Sequence, residues 1–169
     1  MKYIFRQASS FVAPILFCVV FPYILIAGRQ RVSEINPAAG LALLGAAVCL
    51  VGLVLFILSV RMLILIGNGT IMPWDPTRKL VTGSLYGYVR NPMILSVIMI
   101  EAGEALFFDS WWLALLALVF YLINTIYFIL SEEPGLEKRF GQEYLEYKKH
   151  VPRWIPRLNP WHPGKEDSK

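Results

Sequence analysis

Charge is scarce in this chain. Of its 169 residues, 17% are charged and 56% are hydrophobic. A soluble domain of this length carries about 25% charge and breaks its apolar runs more often. Cysteine and histidine are scarcer, with two of each. Cys18 and Cys49 lie inside apolar runs with neither a CxxC nor an extracellular pairing pattern, which excludes a disulfide scaffold and makes them small core hydrophobes. His150 and His162 stand apart from each other and from both cysteines, so no metal site is expected. Strong net charge is missing too. The balance is only +4, explained by topology and anionic headgroups rather than by a nucleic-acid partner.

Long apolar runs are abundant. A helix needs about 20 residues to cross the hydrocarbon. Runs at 11–27, 41–66 (interrupted only by Arg61), 93–108 (with Glu101 and Glu104) and 111–130 (uncharged) suit that purpose. The expectation is an all-α polytopic membrane protein, one integral domain over 1–169, with about four transmembrane helices. Lys2 and Arg6 precede the first run as in a signal peptide. Its apolar core exceeds the usual 7–15 residues or so, and no small-x-small cleavage site follows, so a retained helix is expected.

Four spans put both termini on one side. Lys2 and Arg6, then Arg78, Lys79 and Arg90, then the basic tail (Lys138, Arg139, Lys148, Lys149, Arg153, Arg157, Lys165, Lys169) share that face. The other holds Arg29 and Arg31, offset by Glu34, and the turn Asp109-Ser110. The positive-inside rule makes both termini cytoplasmic. Glu101 and Glu104, three apart on one helical face, require one carboxylate to sit deep and face the bundle interior. The tight turn at Asp109-Ser110 implies a helical hairpin of the third and fourth spans, shorter than the full bilayer.

The loop over 67–91, GNGTIMPWDPTRKLVTGSLYGYVRN, is too long for a simple connector. Gly67 and Gly69 flank Asn68 and allow close backbone approach to a ligand. Pro73 and Pro76 fix an extended path, with Trp74 at interface depth. By itself, Gly-x-Gly is a helix end followed by a surface loop. Arg90-Asn91-Pro92 leads into the third span, where an arginine snorkels and a proline suits the first turn.

After the fourth span come Glu132 and Glu133, then Pro134. A carboxylate costs roughly 2.5–3.5 kcal/mol at the bilayer centre and less near the interface, so the pair calls for a cation. Ser131 is placed to cap a following helix, whose first turn tolerates acids and proline. That helix, expected over 135–149, is amphipathic: Leu136, Phe140, Tyr144, Tyr147 and Val151 recur on one face. It suits the membrane surface, with the Pro- and Trp-rich tail at 151–156 in the headgroup region.

Taken in order, GxGT, LVxxxxYxxxRNPM, EEP and FGxEYLEYKKxVPRWxP resemble the membrane-embedded methyltransferases that include isoprenylcysteine carboxyl methyltransferases and phospholipid N-methyltransferases. The resemblance covers 67–157, the methyltransferase-like catalytic region. It implies S-adenosyl-L-methionine as cofactor, bound at the cytosolic ends of the last helices under the C-terminal amphipathic helix. It also implies a lipid or lipophilic acceptor. Carried over by position, Gly67, Gly69, Arg90, Asn91, Pro92, Glu132, Glu133 and Tyr144 are the cofactor-binding set, with Glu132 and Arg90 closest to the chemistry. Carboxylates suit the sulfonium or ammonium, arginine or backbone amides the carboxylate, and aromatic faces the adenine.

Ile94 and Ser96 stand where many members have Tyr and Gly, and Phe128 stands one turn before the acid pair where carboxyl methyltransferases tend to have arginine. The implied acceptor is thus a phospholipid amine, a carboxylate or a thiol, with the carboxylate least supported. Two other readings compete: a membrane lipid or sterol reductase using a nicotinamide cofactor, and a non-enzymatic tetraspan lipid-binding protein. Gly40, Gly45 and Gly52 offer close-packing surfaces without a strict GxxxG pair, leaving the oligomeric state open.

Overall fold

The apolar runs become helices where their composition demands it. The computed structural model describes residues 16–29, 38–67 and 78–164. Expectations for the N-terminal flank, for Arg31 and Glu34, for Asn68, Gly69, Pro73, Trp74 and Pro76, and for Lys165 and Lys169 fall outside them. A π-helical turn, Leu16–Val20, leads into α1 (Phe21–Arg29). Then come α2 (Ala39–Leu65), the single turn α3 (Leu85–Tyr88), α4 (Pro92–Phe107) and α5 (Trp111–Tyr127). A second π-helical turn, Phe128–Glu132, joins α5 to α6 (Glu133–Phe140), and α7 (Gln142–His150) follows. Every regular element among the described residues is helical.

α2 packs along α4 through a stripe of small residues. Gly45, Gly52 and Ser59 are buried at seven-residue intervals. A Cβ on Gly45 would stand 2.5 Å from the Phe107 nitrogen and 2.6 Å from the Gly103 carbonyl oxygen. One on Gly52 would meet the Ser96 carbonyl oxygen at 3.0 Å. Backbone thus lies on backbone, the arrangement that small residues permit between apolar helices. Cys49 adds a thiol donation to the Ile100 carbonyl at 3.4 Å. Gly45 and Gly52 are therefore used within the chain, whereas a Cβ on Gly40 would meet nothing within 4 Å.

The opposite face of α2 carries Leu43, Leu50 and Ile57, all exposed. Among the described residues, two helices are long and apolar enough to cross a membrane: Ala39–Leu65 and the continuous Trp111–Phe140, which is uncharged as far as Ser131. Their apolar windows are only 11% and 22% buried inside the protein. Core helices of a water-soluble domain would hide that surface, whereas lipid covers it without cost. α4 has 16 residues. At 1.5 Å per residue it reaches about 24 Å, short of the roughly 30 Å hydrocarbon. Glu101 is 1% exposed on its inward face, and no described group partners either carboxylate oxygen. The turn to α5 is tight: Asp109 has φ 45, and the Ser110 amide donates to the Ala105 carbonyl at 2.9 Å. Ile26 of α1 packs there against Ala105 and Leu113.

The end of α5 corrects two expectations. Ser131 begins no helix and makes no cap bond, because the chain runs helically from Trp111 through Phe140. The wide turn at Phe128–Glu132 lets it do so, since a π turn takes up an extra residue and re-aims every side chain beyond it. Leu130 is left 73% exposed while Glu133 is 4% exposed. The amphipathic helix expected over 135–149 is two helices, α6 and α7. Gly141 breaks them with φ 53 and ψ −127, a conformation open to glycine. The apolar stripe nevertheless stays on one side: Tyr144, Tyr147, Val151 and Trp161 form a buried cluster, with Leu80, Leu136 and Phe140 against it.

Candidate functional site

The site is assembled where the tail crosses the turn before α4. Gly87 has no side chain, and the Trp161 carbonyl oxygen lies 2.9 Å from where a Cβ would stand. That closeness allows the tail to pair with the turn as a strap. Trp161 donates its amide to the Gly87 carbonyl, Arg157 its amide to the Tyr88 carbonyl, and Arg90 its amide to the Pro152 carbonyl, each at 2.9 Å. From α7, the Tyr147 hydroxyl donates to the Tyr86 carbonyl at 2.7 Å. Burial raises the pKa of Tyr144 and Tyr147 above the usual phenol value, keeping both hydroxyls protonated.

Glu133 is the electrostatic centre. Its Oε1 accepts from Arg153 Nε at 2.6 Å and pairs with Arg90 Nη1 at 3.0 Å, and its Oε2 pairs with Lys148 Nζ at 3.2 Å. Burial opposes its ionisation, but the Arg153 hydrogen bond, the Arg90 charge and the Lys148 bond outweigh it and hold the carboxyl below the ordinary carboxylate value. Arg90 Nη1 also reaches the Tyr144 hydroxyl at 3.3 Å, and Lys148 bonds Glu137 at 2.6 Å. Three cations (Arg90, Lys148, Arg153) thus face two acids (Glu133, Glu137), so the network keeps one positive charge in excess.

Glu132 differs from its neighbour. It is half-buried, and Tyr127 donates its hydroxyl to Oε2 at 3.2 Å. No described cation pairs with it. Three further donors lie buried around the strap without acceptors: Arg90 Nε, the Tyr86 hydroxyl and Trp154 Nε1. The Trp154 ring rests against Tyr121 and Phe128, with centroids 5.4 and 5.6 Å away. Orphaned donors of this kind are costly in a finished core.

Of the residues expected at the site, Arg90, Glu133 and Tyr144 meet in one network. Asn91 and Pro92 follow at the start of α4, where Pro92 is buried and the Asn91 carbonyl accepts the Leu95 amide at 3.0 Å. Gly67 is buried, and its carbonyl accepts the Arg78 and Lys79 amides at 2.8 and 3.3 Å, closing the base of the loop. Gly69 lies outside the described residues. Sequence reasoning leaves Arg153 and Lys148 to the topology of the tail, yet both are partners of Glu133. The one signal for them was the unmet demand of the acid pair for cations.

Comparison with known proteins adds two findings. The sequence profile described as phospholipid methyltransferase matches residues 41–143. A protein of Haemophilus influenzae, described as uncharacterized, is 35% identical over 63 residues, which are 37% of this chain and 100% of that protein.

Proposed function

The chain belongs to the phospholipid methyltransferase family, and on that premise we propose that it transfers a methyl group from S-adenosyl-L-methionine to a lipid or another membrane-partitioned small molecule. The observation that carries this reading is the unlike state of two adjacent acids. Glu133 is neutralised within the chain, whereas no described cation pairs with Glu132, and buried donors around the strap lack acceptors.

That donor set fits the proposed cofactor. Arg90 Nε, Trp154 Nε1 and the surplus positive charge of the network suit a carboxylate, Glu132 suits a cationic centre, and the Tyr121, Phe128 and Trp154 rings suit a planar base. Asn91, Pro92 and Tyr144 belong to the proposed set as well, and Gly67 and Gly69 join it through the loop. When bound, S-adenosylmethionine supplies an electrophilic methyl on a sulfonium.

The chain's own contribution is alignment and proton handling. An amine acceptor must be unprotonated, and Glu132 takes that proton, its carboxylate oriented by the Tyr127 hydroxyl. Glu133 touches no reacting atom in this scheme. It fixes Arg90 and holds the strap down, so that water is excluded. The catalytic unit is residues 67–157 within a single four-span domain, with the pocket and both termini on the cytosolic side and the acceptor entering from the bilayer. Titration calorimetry of the purified full chain with S-adenosylhomocysteine tests the reading: saturable binding supports it, and no heat at millimolar ligand removes it.

A further inference from the structure

Ile155 and Leu158 are the two most exposed large apolar side chains among the described residues, at 79% and 96%. Both lie on the strap, beside arginines that turn the other way. Arg153 gives its Nε hydrogen to Glu133 at 2.6 Å, and Arg157 gives an Nη1 hydrogen to the His150 carbonyl at 3.0 Å. Trp154 rests on Tyr121 and Phe128 with its Nε1 buried. A loop in water does the reverse, with guanidinium groups outward and aliphatic chains inward. The stretch 153–158 is inside out, as on a surface that meets hydrocarbon.

The strap also stands at the right level. Tyr121 and Phe128 are seven residues apart along the helix that runs through Trp111–Phe140. The indole that touches both is level with positions 124–125, about 8 Å short of Leu130 at 1.5 Å per residue. Its ring therefore lies below the end of the apolar run, and the backbone that carries it follows the boundary. That backbone is poor in free donors. Pro152, Pro156 and Pro160 carry no N–H, and the amides of Val151, Arg157 and Trp161 donate to the Tyr147, Tyr88 and Gly87 carbonyls, each at 2.9 Å. A segment at the edge of hydrocarbon needs few free amides, because lipid offers them no acceptor.

We propose that the strap is a membrane-seated latch, with Ile155 and Leu158 inserted into the hydrocarbon edge of the bilayer that α2 and α5 cross. The inference rests on that crossing and does not require methyl transfer. Insertion adds to the Arg153–Glu133 bond in holding Trp154 against Tyr121 and Phe128. Opening the strap then means withdrawing two aliphatic side chains from lipid as well as breaking an ion pair.

The test places a fluorophore on the strap. Leu158→Cys and Glu146→Cys are made separately in a full chain carrying Cys18→Ala and Cys49→Ala, labelled with an environment-sensitive dye and reconstituted in phosphatidylcholine vesicles. The label at 158 should be quenched severalfold more by a lipid with a nitroxide on its acyl chain than by aqueous iodide. The label at 146, exposed on α7, should show the reverse order. Iodide quenching at 158 as strong as at 146 would overturn the proposal by placing the edge in water. Protection of 158 from both quenchers would overturn it too, with a second copy or another protein as the cover. In the unlabelled chain, Ile155→Ser together with Leu158→Ser should speed protease cleavage of the strap in vesicles roughly tenfold at unchanged helix content, since losing even one buried aliphatic side chain is worth that factor. Ile155→Leu with Leu158→Ile should be cleaved at the wild-type rate. Unchanged cleavage in the serine variant would show that lipid contact latches nothing. S-adenosylhomocysteine binding, measured on the same samples, separates this result from the proposed function: its absence in the wild type would remove the methyltransferase reading and leave the quenching result standing.

Discussion

Arg153 donates its Nε–H to the Glu133 carboxylate at 2.6 Å, and this bond ties the C-terminal strap to the end of the last apolar helix. The carboxylate is almost fully enclosed and the arginine three-quarters so, with side-chain exposures of 5% and 23%. Removing one partner leaves the other enclosed beside the remaining charges. Arg153→Ala should therefore cost about 1.5–3 kcal/mol, the range for a charged hydrogen bond. It should also open the strap over residues 151–161 to protease. Thermal unfolding and limited proteolysis in detergent read both effects. An unchanged melting point with an intact tail would show the bond to be idle.

The same carboxylate makes the strap acid-sensitive. Its folded pKa lies below the ordinary value of 4.5, so its contribution is complete above about 4.5 and is lost as pH falls through the lowered folded value. Tail proteolysis should rise on acidification through that window in the wild type. In Glu133→Gln the tail should already be loose at neutral pH, with no further acid step from this group.

Helix spacing gives a control far from the site. Gly45→Ala drives a methyl to within 2.6 Å of two backbone atoms of α4, while Gly40→Ala meets open space. The first should destabilise by about 1–3 kcal/mol, as overpacking does. The second should be neutral or slightly stabilising, because alanine is the better helix former. Equal melting points for the two variants would contradict the α2–α4 packing.

Trp154→Phe keeps the ring against Tyr121 and Phe128 and removes only the buried indole donor. If that donor awaits a ligand acceptor, S-adenosylhomocysteine should bind roughly tenfold more weakly, the worth of one hydrogen bond. The melting point of the free protein should hold or rise, since an unsatisfied group has gone. Unaltered affinity would place the indole outside the ligand's reach.

Much of the fold was legible because bilayer crossing is a one-dimensional constraint. The uncharged run at 111–130 and the run at 41–66 became the two long apolar helices among the described residues, Pro92 began a helix and Asp109-Ser110 separated two, where their backbone preferences require. The stripe of Leu136, Phe140, Tyr144, Tyr147 and Val151 kept one side despite the break at Gly141. The continuity through Ser131 was not legible. A π turn is a cooperative accommodation of one extra residue, and no local propensity announces it. Nor could spacing separate Glu132 from Glu133. Adjacent residues on a helix point about 100° apart, so only the packing of α6 under the strap decides which acid meets Arg90 and Arg153.

The central claim is that Glu132 handles the acceptor's proton while Glu133 holds the site together. Its most direct test is the transfer of labelled methyl from S-adenosylmethionine into membrane lipid extract, by the wild type and by Glu132→Gln, with melting points measured on the same samples. The expected result is transfer by the wild type and a loss of about 10²–10⁴-fold in Glu132→Gln at unchanged melting point, the range for removing a general base. No transfer by the wild type, or full activity in Glu132→Gln, would contradict the account.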